Sequence, residues 1–202
     1  MAERVVFIVD DDEAMRTAFV DLLETVQLPT ESYDTAERFL EQFAPDRRGC
    51  LLLDIRMPGM GGIELHKRLI ARQVTLPVII ISGHGDIPMA VEAVRRGALD
   101  FIEKPFRSQP LLDRVQQALT LDDELRRERR EREAAAENFS RLTPRERDVV
   151  DRAVGGLTNK QIAVALGVSP QAIDVHRSKA MEKLHVANIP DLVRLSIKAQ
   201  SN

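Results

Sequence analysis

One cysteine, Cys50, stands in 202 residues. A single thiol forms neither an intramolecular disulfide nor a cysteine-rich zinc site, and it suits a reducing compartment. No apolar stretch exceeds five residues, as in Val5–Val9, where a bilayer span needs about 18. The opening Met1-Ala2-Glu3-Arg4 has no cationic segment followed by a long apolar one, so no secretory signal is expected. The sequence therefore points to a soluble, cytoplasmic protein without a membrane partner. A large excess of one charge is also missing: 29 Lys+Arg against 32 Asp+Glu give −3 at pH 7. What is present, 44% hydrophobic and 30% charged residues, exceeds what a disordered chain carries. The length predicts one full-sized domain and a smaller one.

The near-neutral total conceals a division. Residues 1–121 carry −5, residues 122–138 carry −2, and residues 139–202 carry +4. An acidic front and a basic tail point to different partners.

In the front, Val5–Val9, Leu51–Leu53 and Val78–Ile81 are β-rich apolar runs without polar alternation. Each reads as a strand buried on both faces, the habit of a parallel sheet. Weaker strands fit Thr30–Tyr33 and Leu99–Ile102, and amphipathic stretches fit Ala14–Val26, Ala36–Phe43, Ile63–Ile70 and Ile87–Val94. The alternation predicts a doubly wound α/β domain with a five-stranded parallel sheet.

Such sheets carry their sites beyond the carboxyl ends of the strands. Those ends hold Asp10-Asp11-Asp12, Asp54, Ser82 and Lys104-Pro105. Two carboxylates ~4 Å apart repel by about 4 kcal/mol at an effective dielectric of 20, so the group calls for a cation. An acidic all-oxygen pocket suits Mg²⁺. Asp54 then becomes a nucleophile toward phosphorus, Lys104 a counter-charge and Ser82 a donor to phosphoryl oxygens.

Through Val9-Asp10-Asp11, Leu53-Asp54-Ile55-Arg56-Met57-Pro58-Gly59-Met60, Ser82-Gly83-His84-Gly85 and Lys104-Pro105-Phe106, residues 4–121 resemble the receiver domains of bacterial two-component response regulators. The resemblance implies a flavodoxin-like fold and phosphorylation of Asp54 by a sensor histidine kinase. It also implies Mg²⁺ held at Asp10, Asp11, Asp54 and Arg56, with Ser82 and Lys104 on the phosphoryl group. Further implications are a cis Lys104–Pro105 peptide, a switch side chain at Phe101, and tuning of phosphoryl lifetime by Arg56 and His84. Phe101 lacks the tyrosine hydroxyl common at its place, so its switching would rest on packing.

Other readings compete. Asp12 fits the N-cap of the first helix better than a metal ligand. Gly59-Met60-Gly61-Gly62 lacks P-loop spacing and reads as a tight turn before a helix. His66, His84, His176 and His185 have no metal-ligand spacing, and Cys50 reads as a small buried hydrophobe. A Mg²⁺-dependent aspartyl phosphatase would also want Asp54 beside a lysine. It would keep a second acid two residues on, where this chain has Arg56, so the domain reads as a phosphoryl acceptor and not as an enzyme.

Residues 122–138 contain no Gly or Pro, and Asp122/Arg126, Asp123/Arg127 and Glu128/Arg132 are spaced i,i+4. Without an a/d seam, this is expected to be a solvated helical spacer.

The tail, 139–202, shows four short helical units. Thr143-Pro144-Arg145-Glu146 and Thr158-Asn159-Lys160-Gln161 are capping boxes, and Ser169-Pro170 is an N-cap followed by proline. Gly167-Val168 gives a helix-turn-helix spacing, which predicts a smaller all-α domain. On a wheel of the third helix, Ile173, Ala180 and Leu184 form the core side with Met181 nearby. Gln171, Asp174, Val175, Ser178, Lys179 and Glu182 fall on the opposite arc, which would face a major groove. Lys160, Lys179 and Lys183 are placed to meet phosphates. Leu192, Val193, Leu195 and Ala199 on the fourth helix fit either a dimer contact or packing within their own domain.

Leu142–Glu146, Gly156–Ala163, Val175-His176-Arg177 and Lys183-Leu184-His185-Val186 resemble the LuxR-type DNA-binding domain. The whole chain thus resembles FixJ/NarL-type response regulators. The resemblance implies homodimerisation on phosphorylation and promoter binding through Thr158, Asn159, Lys160, Gln171, Asp174, Val175, His176, Ser178, Lys179 and Lys183. RNA polymerase is a further candidate partner, and a protein-interaction module is the alternative for the tail. Asp174 replaces the family's usual lysine; an acid there repels phosphate but can accept from a cytosine amino group.

Overall fold

A computed structural model of the chain describes residues 4–83 and 87–200. It divides into two compact units between Leu125 and Arg126. The first holds β1 (Arg4–Val9), α1 (Glu13–Glu24), β2 (Thr30–Tyr33), α2 (Ala36–Gln42), β3 (Arg48–Asp54), α3 (Gly62–Ala71), β4 (Val78–Ser82), α4 (Ile87–Arg95), β5 (Asp100–Glu103) and the start of α5 (Ser108–Ser140). All strand pairs are parallel, in the order β2-β1-β3-β4-β5. The chain runs outward from β1 to β2, then crosses to β3 on β1's other side. The strand order therefore reverses between β1 and β3, where Asp10 directly follows β1 and Asp54 ends β3.

The unalternating runs are buried on both faces. Val5, Phe7, Val9, Leu51, Leu53 and Ile80 pack with Phe39, Leu65 and Leu69 on one side. Val6, Ile8, Cys50, Leu52, Ile79 and Ile81 pack with Phe19, Leu23, Leu111 and Val115 on the other. Each such side chain contributes roughly 1.5–3 kcal/mol, which makes the sheet rigid enough to hold a polar rim. Cys50 lies inside the second cluster, and burial pushes its thiol well above the ordinary range.

The stretch expected as a solvated spacer is helical throughout as part of α5, but its ends are packed. Asp122 is fully buried and accepts from Gly49 N at 3.1 Å, while Asp123 pairs with Arg48 and Arg4. Ala135 and Phe139, near its other end, are buried in the second unit, where Lys198 also pairs with Glu131. Spacing within the helix could not reveal these partners, which lie many residues away.

The second unit contains the end of α5 with α6 (Pro144–Val154), α7 (Asn159–Leu166), α8 (Pro170–Lys183) and α9 (Ile189–Gln200). Thr143 and Thr158 form both capping boxes, and Ser169 caps α8 with Pro170 at its first position. Gly167 takes the left-handed conformation at φ 65°, ending α7 so that α8 can start three residues later. Ile173 and Ala180 are fully buried and Leu184 nearly so. Leu192, Leu195 and Ala199 join Phe139, Val150, Ala180 and Leu184 in one cluster, so much of the apolar face of α9 serves its own domain.

Gly62 opens α3 against the end of β3. A Cβ there would lie 2.0 Å from the carbonyl oxygen of Asp54 and 3.1 Å from Leu53 Cγ. Neither backbone nor buried leucine can yield that much, so Gly62→Ala should destabilise the first unit by at least about 2 kcal/mol in denaturant melts.

Candidate functional site

At the carboxyl edge of the sheet, one ammonium bridges two buried acids. Lys104 Nζ donates to Asp54 Oδ1 at 2.6 Å and to Asp10 Oδ2 at 2.8 Å. The other oxygens are held by main-chain donors: Asp12 N to Asp10 Oδ1 at 2.9 Å and Arg56 N to Asp54 Oδ2 at 2.7 Å. Each carboxylate is thus fixed from two directions.

The surrounding loops are anchored as well. Arg16 Nη1 donates to the carbonyls of Asp10 and Asp11 at 2.8 and 2.9 Å, holding the turn after β1. Asp12 caps α1 by accepting from Ala14 N and Met15 N, in keeping with the capping reading. Lys104 N donates to Ser82 O at 2.7 Å. Phe106 stacks on Phe19 at 5.2 Å, and the Lys104–Pro105 peptide between β5 and that anchor is cis.

Burial pushes the Asp54 carboxyl above its ordinary 3.8, against the downward pull of its hydrogen bond with Lys104. Burial would lower Lys104, but its bonds to Asp10 and Asp54 outweigh that and raise it. The ammonium therefore stays charged at neutral pH. Ser82 Oγ, 1% exposed as a residue, has no hydrogen-bond partner among the described residues. A buried hydroxyl without a partner costs about 1–3 kcal/mol, so the Ser82 hydroxyl is available to donate to an acceptor in the pocket.

Asp10, Asp54, Ser82 and Lys104 are therefore brought onto one rim. Asp11 lies exposed beside them, and Arg56 contributes its N–H while its side chain is exposed. Phe101 is half-buried against the cluster on the α2/α3 face. His84 falls outside the described residues. No group of three or more His, Cys, Asp or Glu with metal-binding arrangement occurs among the described residues. Mg²⁺ requires fewer, since it keeps several waters and takes one or two carboxylates. The two oriented acids fit that demand.

In the second unit, Gln171, Asp174, Val175, Ser178 and Lys179 are exposed on α8, opposite its buried side, and Lys160 is exposed on α7. His176 is intermediate. Thr158 is occupied in its capping box with Gln161. Lys183, expected to meet phosphate, has a partner within its own unit: its Nζ donates to Glu146 Oε2 at 2.6 Å, and Glu146 is 4% exposed. Glu146 also accepts from Thr143 N at 2.8 Å, so Lys183 neutralises the acid of the α6 capping box. Asp174 and Asn159 are likewise engaged, both with Arg177. Arg177 and Arg16 carried no sequence signal of these roles, because an arginine's partner is set by tertiary placement. No described helix is long and apolar enough to cross a membrane.

Two stability effects follow. Lys183→Gln should cost the second unit about 1 kcal/mol at pH 7, leaving a buried carboxylate poorly matched. The bond to Lys183 holds Glu146 below its ordinary 4.5, so its contribution is present above that value and fades as pH falls through the lowered one. Urea melts at pH 7 and pH 4 should therefore show the gap narrowing. Asp54→Asn should instead stabilise the first unit by about 1 kcal/mol, because it removes a buried charge while keeping an acceptor toward Lys104. With its folded pKa raised, Asp54 adds stability below 3.8 that is lost as pH rises through the folded value. The variant's advantage should accordingly be largest near neutrality and shrink toward pH 4.

Comparison with known proteins agrees with this two-part reading. Residues 6–116 match the response regulator receiver domain, and residues 140–196 match the bacterial regulatory proteins of the luxR family. The transcriptional regulatory protein FixJ of Azorhizobium caulinodans is 41% identical over 194 residues, covering 96% of this chain and 92% of its own length. Response regulator protein TodT of Pseudomonas putida is 40% identical over 192 residues, covering 95% and 85%. Among solved structures, that of the response regulator StyR superposes with a TM-score of 0.85 at 44% identity, covering 98% of this chain and 100% of that one. Full-length FixJ from B. japonicum gives 0.60 at 36% identity, covering 98% of each. With both parts matched along nearly its whole length, the chain belongs to the response regulators, those that join a receiver domain to a luxR-family DNA-binding domain and regulate transcription.

Proposed function

We propose that Asp54 accepts a phosphoryl group from a phosphohistidine of a sensor histidine kinase, and that the phosphorylated chain dimerises and binds promoter DNA in the cytoplasm. The observation that carries this reading is the Lys104 bridge between Asp10 and Asp54 beside a buried Ser82 hydroxyl with no partner among the described residues. Asp54 attacks phosphorus, the phosphorus–nitrogen bond of the donor breaks, and the imidazole leaves with its electron pair and takes up a proton. Mg²⁺, when bound, neutralises the acids and the phosphoryl oxygens; Asp10, Asp11 and Asp54 would hold it, with Arg56 able to contribute through its main chain only.

The acyl phosphate carries about −1.5 to −2 charges where the carboxylate carried −1, and it brings three acceptor oxygens. Lys104 and the Ser82 hydroxyl turn toward those oxygens, and the adjustment reaches Phe101 on β5. Arg56, beside the pocket, and His84 set how long the phosphoryl group persists. Pairing of two receivers then raises the local concentration of two second units, which occupy half-sites together. On DNA, the exposed arc of α8, from Gln171 through Asp174 and Val175 to Ser178 and Lys179, enters the major groove with His176 beside it. Thr158, Asn159 and Lys160 border the phosphates, and RNA polymerase is the downstream partner.

The test is phosphorylation with a small phosphodonor and Mg²⁺, followed by mass mapping, sedimentation and duplex binding. Wild type should acquire one phosphoryl group on Asp54, dimerise and bind its duplex at least tenfold tighter. Asp54→Asn should do none of these; equal dimerisation and binding by that variant would overturn the proposal.

A further inference from the structure

Three side chains form a closed triad between the start of α7 and the second turn of α8. Asn159 Nδ2 donates to Asp174 Oδ1, Arg177 Nη2 donates to the same oxygen at 3.3 Å, and Arg177 Nη1 donates to Asn159 Oδ1 at 2.9 Å. Asn159 thus uses its donor on the acid and its acceptor on the base. Both bonds to the carboxylate fall on Oδ1, which leaves Oδ2 without a protein partner among the described residues. The Asp174 side chain is 56% exposed, with exposed Gln171, Val175 and Ser178 around it on the outward arc.

We infer that Asp174 reads sequence: its Oδ2 accepts a hydrogen bond from the 4-amino group of a cytosine in the major groove, with Asn159 and Arg177 as positioning residues. This deepens the reading of α8 as the groove-entering helix and rests on it. A carboxylate only accepts, so it selects a base edge that only donates. Cytosine offers an amino donor there, whereas guanine and thymine offer carbonyl oxygens, and adenine sets its N7 acceptor beside its amino group. A free acid beside phosphates would be repelled. Arg177 offsets that charge locally, and the two bonds to Oδ1 fix the carboxylate before DNA arrives, so little ordering cost remains at binding.

The full-length chain, phosphorylated with a small phosphodonor and Mg²⁺, is used to enrich binding sites from a random duplex library. Each cytosine in the enriched half-site is then replaced by 2-pyrimidinone, which removes the 4-amino group and keeps the ring. At one position wild type should lose roughly tenfold in affinity. Asp174→Ala should show no loss there while keeping the losses at other positions, and Asn159→Ala should lower the cytosine-to-pyrimidinone ratio, a readout that a purely structural triad would leave unchanged. An Asp174→Ala chain that enriches the same site and suffers the same losses overturns this inference alone. If wild type enriches no site, the groove reading fails and this inference with it.

Discussion

Lys104 Nζ lies within 2.8 Å of carboxylate oxygens from two different strands, and the rim of the sheet depends on that contact. The strand order sets Asp10 and Asp54 on neighbouring strand ends, and the apolar sheet beneath denies them water. Two acids so placed could not both stay ionised without a cation between them. The lysine arrives from the loop after β5, beyond β4, which is why its approach is anchored at Ser82 O and by the stack of Phe106 on Phe19. Packing on both faces of the sheet thus acts through one loop to place one charge.

The second unit solves a related problem on a smaller scale. Glu146 caps α6 as sequence spacing predicts, but the unit is small enough that the cap lies inside it. A buried carboxylate needs more than a backbone N–H, and Lys183, at the far end of α8, supplies the charge. The helix that presents Gln171, Val175 and Lys179 outward is therefore tied at its last turn to the start of α6. The outward face of α8 gains its orientation from a lysine that sequence spacing assigns to phosphate.

The residues differ in how far sequence discloses them, and the reason is physical. Unalternating runs such as Val78–Ile81 announce a parallel sheet because burial on both faces leaves no room for polar residues. The site then follows from topology, since Asp54 and Ser82 end their strands and Asp10 and Lys104 directly follow theirs. Caps at Thr143, Thr158 and Ser169 are local, spanning three residues, and are legible for that reason. Partners separated by long stretches of chain are not legible. Asp122 with Gly49, Lys183 with Glu146, and Arg177 with Asn159 depend on which surfaces meet. Charge type alone allows several partners for each. The i,i+4 pattern of 122–138 is real as a pattern, yet Asp123 takes Arg48 and Arg4 instead of depending on its helical neighbours.

On the proposed reading, the same lysine that makes the rim stable also makes it switchable. An incoming phosphoryl group must compete with Asp10 and Asp54 for Lys104, and it wins because it brings more charge and three acceptors. Ser82 Oγ gains no comparable partner until then, so its movement answers a buried polar group left unpaired. Both responses begin on β4 and β5, whose backbones are joined through Ile80 and Phe101. Phe101 is half-buried, so it can move further into the α2/α3-side cluster without opening a fully packed core. A fully buried ring would resist that movement and a fully exposed one would transmit nothing. Partial burial of one phenylalanine beside a contested lysine is thus a sufficient physical route from phosphorus chemistry to a change at the surface.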